Sequence, residues 1–382
     1  MEVANPSGRI LVLAPGSSGG GAEALAPLWS SALTQAGYQV ETVFTHEASS
    51  AVGLSIGTKG GSHLGRVRAL RSLLIREKPD VIVSLLTYTN ILMLLVALTI
   101  DRSRRPRTVI SEHNLLTPLS RRRSALFRAQ VLLAKRLYRT ADILIAVSSA
   151  VAGEAGALFG LPPNKVVIVP NVVQPDSGGE AQRSSEPVLD EDPRISLIFS
   201  GRFVPQKSPD LFVEVATHLS RRGLLSQVEL FGTGPLLAEV TDSLAELRID
   251  YRSHGWVDAW WDVEVGHSAV LALTSEFEGF GNVLIEAGRR GIPVVACRQA
   301  MGVSDAIAHG ITGFLVNGRT PEEFAEGVIA ASRLSINRES RFFEQFTVDA
   351  VRRSFESILR SMEVDSSRRA GSSSHQFFAN PS

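Results

Sequence analysis

From Ile10 onward the chain alternates short β-rich apolar runs with helix-length amphipathic segments, and it does so twice. That alternation constrains the fold more than any other feature, because strands separated by helices pair in parallel through right-handed crossovers. In the first series Ile10–Ala14, Gln39–Phe44, Val81–Leu85, Thr108–Ser111, Ile143–Val147 and Val166–Val169 read as strands. Ala22–Gly37, Leu64–Lys78, Thr89–Thr99 and Leu119–Thr140 read as the helices between them, the first closing at Gly37. The stretch Gln174–Asp192 has prolines, glycines, serines and acidic residues without apolar periodicity, so it reads as a linker or surface loop.

The second series has strands at Ile195–Ser200, Gln227–Gly232, Asp250–His254, Ala269–Leu273 and Pro293–Ala296. Its helices are Pro209–Arg222, Pro235–Leu247, Val283–Arg290 and Pro321–Arg333. The expected fold class is therefore α/β, with two Rossmann-like doubly wound parallel-sheet halves, which suits a chain of 382 residues. Val348, Val351, Phe355, Ile358, Leu359 and Met362 fall at helical spacing and should pack on a domain. Ser366–Ser382 is rich in serine with little to bury and reads as a disordered tail.

Composition excludes several classes of function. Lys plus Arg equals Asp plus Glu at 39 each, so net charge gives no argument for wrapping nucleic acid. The single cysteine, Cys297, excludes an intrachain disulfide and a cysteine metal cluster. Met1–Arg9 lacks the basic start and long apolar stretch of a secretion signal, so a cytoplasmic location is expected. Ile91–Ile100, the most apolar window, is too short to span about 30 Å of hydrocarbon and reads as a buried helix.

The most informative segment is Glu278-Gly-Phe-Gly-Asn-Val-Leu-Ile-Glu286, followed by Gly291, Pro293 and an apolar strand. Gly279 and Gly281 permit backbone approach to a ligand, and Asn282 is a candidate N-cap that leaves free amides and the positive end of the helix dipole before Val283. A diphosphate suits such a place. Glu278 and Glu286 can each accept bonds from sugar hydroxyls; taken singly, such residues more often cap a helix or make a surface ion pair. After the first strand of the second series, Ser200-Gly201-Arg202-Phe-Val-Pro-Gln-Lys207 puts two cations at the carboxyl end of a strand, where open α/β sheets bind ligands. A planar guanidinium and a compact ammonium can both hold a pyrophosphate.

Taken together with Phe231-Gly-Thr-Gly-Pro235, His254-Gly255-Trp256 and Gly310–Val316, these elements resemble the donor half of the retaining family 4 glycosyltransferases (glycosyl transferases group 1), of GT-B fold. Gly19–Glu23, Ser111-Glu-His-Asn114, Ala141-Asp142 through Ser148 and Val169-Pro-Asn171 resemble that family's acceptor half. The resemblance runs from about Ile10 to Met362. It implies an N-terminal acceptor-binding domain at 1–175, a linker at 176–193 and a nucleotide-sugar domain at 194–346, the two domains facing across a cleft. A helix at 347–363 would return to the N-terminal domain, ahead of the tail at 364–382. Where the family has Lys-Gly after its arginine, this chain has Lys207-Ser208-Pro209, which puts the local loop shape in question.

The resemblance also implies roles. Arg202, Lys207, Glu278 and His113 would be catalytic: the two cations neutralise a departing diphosphate, Glu278 holds the transferred sugar with Phe280, Gly281 and Asn282, and His113 reaches the donor sugar or acceptor. Gly20, Gly21, Gly201 and Val283 would line the donor, Glu286 would bond the ribose, and main chain near Trp256 and Val257 would meet the base. The donor would be a nucleoside-diphosphate sugar, UDP- or GDP-linked, the acceptor a saccharide or lipid-linked saccharide. Fixed cations would serve in place of a metal or other cofactor. An Asp-x-Asp triplet, Asp190–Asp192, falls in the linker and reads as coincidence.

Basic residues crowd between Arg102 and Arg139, and Leu119–Tyr138 reads as a basic amphipathic helix that could lie on an anionic membrane, against the plainer reading of a core helix with solvated arginines. Two other classes compete. Gly16, Gly19, Gly20 and Gly21 after the first strand suggest a nicotinamide-dependent oxidoreductase, but their spacing is not that of the dinucleotide fingerprint. A nucleotide-sugar epimerase, or a non-catalytic binding relative, would share the architecture.

Overall fold

The computed structural model describes residues 8–16, 25–46, 53–57, 61–173, 194–266 and 268–362. Gly20 and Gly21 with the rest of the Gly19–Glu23 loop, the linker at 176–193 with Asp190–Asp192, and the tail at 364–382 lie outside the described residues. The chain divides into two compact units, one running to Val172 and resuming at Thr347, the other comprising Val173–Phe346.

Unit 1 is a parallel sheet of β1 (Arg9–Ala14), β2 (Gln39–Phe44), β3 (Leu54–Ser55), β4 (Val81–Leu85), β5 (Arg107–Glu112), β6 (Ile143–Ala146) and β7 (Val166–Ile168) in the order β3-β2-β1-β4-β5-β6-β7. Its connecting helices are α1 (Leu25–Gln35), α2 (His63–Glu77), α3 (Thr87–Leu98), α4 (Leu116–Arg122), α5 (Ala125–Leu137) and α6 (Ser149–Phe159). Strands β4 and β6 are buried at every residue, as unbroken apolar runs must be when helices cover both sheet faces.

Unit 2 has β8 (Ile195–Ser200), β9 (Leu225–Phe231), β10 (Tyr251–Gly255), β11 (Ala269–Leu273), β12 (Val294–Cys297) and β13 (Gly313–Val316) in the parallel order β10-β9-β8-β11-β12-β13. Helices α7 (Pro209–Arg221), α8 (Leu237–Glu246), α9 (Asn282–Arg289), α10 (Pro321–Ala331) and α11 (Arg341–Glu344) accompany it. Its core gathers Phe199, Phe212, Leu230, Val270 and Phe324. Helix α12 (Val348–Ser361) belongs to unit 1, where Phe355 meets Trp29 edge-on at 5.1 Å.

Three departures from the sequence reading have physical causes. The single helix expected over Leu119–Thr140 is two helices, because Arg123 takes an extended conformation and the Ser124 side chain accepts from the Phe127 amide, starting a new helix at Ala125. Strand β3 has two residues, too few to show alternation. Helix α6, Ser-Ala-Val-Ala-Gly-Glu-Ala-Gly-Ala-Leu-Phe, carries small residues and two glycines where a strong apolar stripe would have announced it.

Candidate functional site

Strand order reverses between neighbours at β8 and β11, and the loops leaving their carboxyl ends carry most of the expected site. Such a reversal opens a crevice, because the crossovers on either side turn away from each other. The two loops are stitched together: the Glu276 amide donates to Gln206 O at 2.9 Å, and Gln206 Nε2 donates to Phe277 O at 3.0 Å. Across that seam Lys207 Nζ donates to Glu278 Oε1 at 2.5 Å, both side chains largely buried. Arg202 is exposed and makes no ion pair among the described residues. One cation is thus held by a carboxylate, and the second is exposed without an ion pair among the described residues.

Ser208 stands where the family has glycine, and its backbone adopts the left-handed region at φ 45°, ψ 61°. That conformation costs a residue with a Cβ about 1–2 kcal/mol. It is held by bonds from both sides: Arg319 Nη2 donates to Ser208 Oγ at 2.8 Å, and Thr274 Oγ1 donates to the carbonyls of Lys207 and Ser208, each at 3.0 Å. The loop thus keeps a glycine-like turn without glycine. Gly201 lies under the next loop, where a Cβ on Gly232 would stand 1.9 Å from Gly201 O, so the backbones after β8 and β9 cross with no room for a side chain.

Helix α9 starts one residue earlier than the capping pattern implied. Gly281, at φ 93°, is the cap, no side chain caps the end, and Asn282 is the first helical residue, followed by a half-buried Val283. Glu286 sits one turn in and is neither a cap nor a surface ion pair: Trp260 Nε1 donates to its Oε2 at 2.8 Å. Burial raises the Glu286 carboxyl to about 7, the Trp260 bond and the Lys207 charge pulling the other way. The turn carrying Trp260 is fastened a second time, by Arg290 Nη2 to Asp262 Oδ1 at 2.6 Å. Phe280 is buried against Phe346 at 5.6 Å, so its ring serves packing and only its main chain remains for a ligand. Trp256 is 57% exposed, with Nε1 on Asp258, and Val257 beside it is half-buried.

In unit 1, His113 follows β5, but both ring nitrogens are engaged, Nε2 with Ser111 Oγ at 2.5 Å and Nδ1 with Asn171 Oδ1 at 3.2 Å. Burial lowers its pKa to about 4, partly offset by Asn171, so the ring is neutral at pH 7. It could bond a substrate only by leaving one of these partners. Its neighbour Glu112 faces the core, accepting from Thr87, Asn90 and Tyr138, and burial raises it to about 7 against those bonds.

Trp260, Arg319 and Glu112 were not anticipated. Only Trp260 left a sequence trace, the Trp-Trp-Asp run shortly after His-Gly-Trp. Among the described residues no group of three or more His, Cys, Asp or Glu could hold a metal ion, and no helix is long and apolar enough to cross a membrane.

Comparison with known proteins is consistent with this geometry. The model of Glycosyltransferase Family 4 matches residues 19–177 and that of Glycosyl transferases group 1 matches residues 194–333, together most of the chain. Proteins named D-inositol 3-phosphate glycosyltransferase are similar. The one from Streptosporangium roseum is 32% identical over 219 residues, 52% of this chain and 48% of its own, and that from Frankia alni is 31% identical over 198 residues, 48% of each. The chain thus spans about half the length of the curated relatives it matches. Among solved structures, the lipopolysaccharide outer core galactosyltransferase WaaB in its apo form superposes with TM-score 0.71 at 17% identity, covering 93% of this chain and 99% of that one. Anabaena HepE in complex with UDP gives 0.70 at 18% identity, covering 92% and 100%. Two parallel α/β units, the lysine and two glutamates on the strand-end loops and helix of the second, and a family match to each half lead to one assignment: the chain belongs to the family 4 (group 1) glycosyltransferases and has the GT-B fold.

Proposed function

We propose that the chain is a retaining, metal-independent glycosyltransferase that moves a sugar from a nucleoside-diphosphate donor, UDP- or GDP-linked, to a saccharide or lipid-linked acceptor in polysaccharide, glycolipid or glycan-precursor synthesis. The observation that carries this reading is the seam at the strand reversal of unit 2, where Lys207 is aimed by Glu278 and Arg202 stands open beside it. As the bond to the sugar breaks, negative charge grows on the β-phosphate and positive charge on the anomeric carbon. Two fixed cations lower the energy of the first, and a carboxylate already in place needs no reorganisation to face the second. Glu286, oriented by Trp260, would accept from the ribose hydroxyls. Retention follows from the family resemblance, with the acceptor attacking from the face the diphosphate leaves. The structures of HepE in complex with UDP and with UDP-glucose favour a uridine donor.

A panel of UDP, GDP and ADP with their sugars, read by thermal shift, tests the donor class. A ligand at a hundred times its dissociation constant adds about 2.7 kcal/mol of stability, an easily read shift. No shift with any nucleoside diphosphate would remove the reading. Activity should also survive chelator, and loss restored only by a particular metal would overturn the metal-free mechanism.

The exposed side of α5, rather than one long helix, would make a peripheral membrane contact on the cytoplasmic face. Val131 and Leu137 are buried there, but Leu126 is 70% and Leu132 62% exposed among Arg128, Lys135 and Arg136. Apolar side chains ringed by cations suit an anionic lipid surface. Co-sedimentation with anionic vesicles that weakens with salt is expected, and equal binding to neutral vesicles would count against it.

A further inference from the structure

Unit 1 has its own strand reversal, between β1 and β4, and a second cluster of polar side chains stands near it. Arg66, in the first turn of α2, is 7% exposed and makes no ion pair among the described residues. Its Nε donates to Thr45 O at 2.9 Å and its Nη1 to Tyr88 Oη at 3.3 Å; no described residue accepts from Nη2. His63 Nδ1 lies 3.0 Å from Tyr88 Oη, and the His46 and Tyr88 rings are 6.2 Å apart. His46 Nδ1 is held at Pro15 O, 2.8 Å away, and no described residue bonds the Nε2 of either histidine.

The electrostatics are one-sided. Enclosing a guanidinium without a counter-charge costs several kcal/mol. Here the cation also sits at the positive end of a helix, where a cation is disfavoured. A second helix, α3, starts at Thr87 beside it, and neither α2 nor α3 has an acidic residue in its first turn. The carboxyl that α3 does meet, that of Glu112 at the end of β5, is occupied by Thr87, Asn90 and Tyr138 and turned toward its neutral form by burial. A buried cation, two helix starts and three side chains able to donate gather at the carboxyl ends of β1, β2 and β4, with no carboxylate paired to the cation among the described residues.

We propose that Arg66, with Tyr88, His63 and His46, forms an anion subsite in unit 1 that takes a phosphate or carboxylate carried by the sugar acceptor. Binding of the anion stands on this geometry alone; that the anion belongs to an acceptor rests on the transferase reading. The names of the relatives, which specify an inositol phosphate, are consistent with the phosphate alternative.

The test uses the full chain without donor. Inorganic phosphate, glucose 6-phosphate, glucuronate and glucose are titrated while the His46 and His63 ring signals are followed by NMR. Saturable shifts with the anions and none with glucose are expected. Arg66→Gln should weaken binding at least tenfold, Arg66→Lys should retain most of it, and Lys207→Ala should leave it unchanged. Phosphate binding without glucuronate binding assigns a phosphorylated acceptor, the converse a uronic acid, and binding of both a general anion site. No saturable shift in the unmodified chain, or undiminished affinity in Arg66→Gln, overturns the proposal. If Arg66→Gln fails to fold, Tyr88→Phe with His63→Ala should weaken binding severalfold, and unchanged affinity there overturns it equally. Anion binding in a chain that shows no thermal shift with any nucleoside diphosphate would leave this subsite standing and remove the transferase reading instead.

Discussion

Both sheets reverse strand order once, β1 beside β4 in unit 1 and β8 beside β11 in unit 2, and the two reversals are furnished differently. In unit 2 acid and base are placed against each other, Lys207 on Glu278, both side chains largely buried. In unit 1 acid and base are separated and buried, so desolvation moves each toward neutrality: Glu112 up to about 7, His113 down to about 4. Arg66 is buried there without an ion pair among the described residues. Topology decides where a ligand can enter, and the pairing of side chains decides what charge it must carry.

The largest test of this contrast is Lys207→Ala or Arg202→Ala. Loss of a charge-stabilising donor should cut turnover about a hundredfold or more. Steady-state rates near normal in both variants would show that the unit 2 pair is structural.

The second test is stability against pH. Glu112 binds more protons folded than unfolded between its ordinary value of 4.5 and about 7, so its contribution falls as pH rises through that window. His113 binds fewer folded than unfolded between about 4 and 6.5, so its contribution rises with pH there. The slopes oppose each other in the unmodified chain. Glu112→Gln should uncover a rise from pH 4 to 6.5 and His113→Gln a decline from 4.5 to 7, each amounting to at most about 3 kcal/mol in denaturant melts. Parallel curves for all three proteins would mean these groups titrate normally.

A smaller effect is expected from Trp260→Phe, which keeps a ring and removes the donor to Glu286. Nucleoside-diphosphate affinity should fall roughly tenfold, the scale of one hydrogen bond to a charged group. Affinity for a 2′,3′-dideoxy analogue should barely change, and equal losses for both by calorimetry would reduce Trp260 to packing. Smallest is Ser208→Gly, which relieves the positive φ but gives up the Arg319 bond. Net stability should move by less than about 1 kcal/mol, with activity within about twofold. A collapse of activity would show that Arg319 acts on Lys207 through Ser208.

Much of the fold was legible because its central strands, such as β4, β6, β8 and β11, are buried on both faces and so appear as largely apolar runs. The 119–140 region misled because its apolar residues keep helical spacing across Ser124, and the break depends on a single hydroxyl. Lys207, Glu278 and Glu286 stood out through resemblance, but what they touch did not. Trp260 lies 26 positions from the carboxylate it orients, and Ser208 is 111 from Arg319. Phe280 and His113 show the converse, since motif position marks them as ligand groups while the folded chain commits the phenylalanine ring to packing and the imidazole to internal bonds. Arg66 left no trace, because an arginine in a polar helix reads as solvated until its surroundings are known.

The return of α12 to unit 1 makes that unit discontinuous in sequence, with the whole of unit 2 spliced between its penultimate and last elements. On the ribosome, Val173–Phe346 can therefore finish folding while the earlier half still waits, its Trp29 face uncovered until Phe355 and Leu359 emerge. A premature stop shortly after Phe346 would thus release a finished second unit tethered to an unfinished first one, the form most exposed to chaperones and proteases.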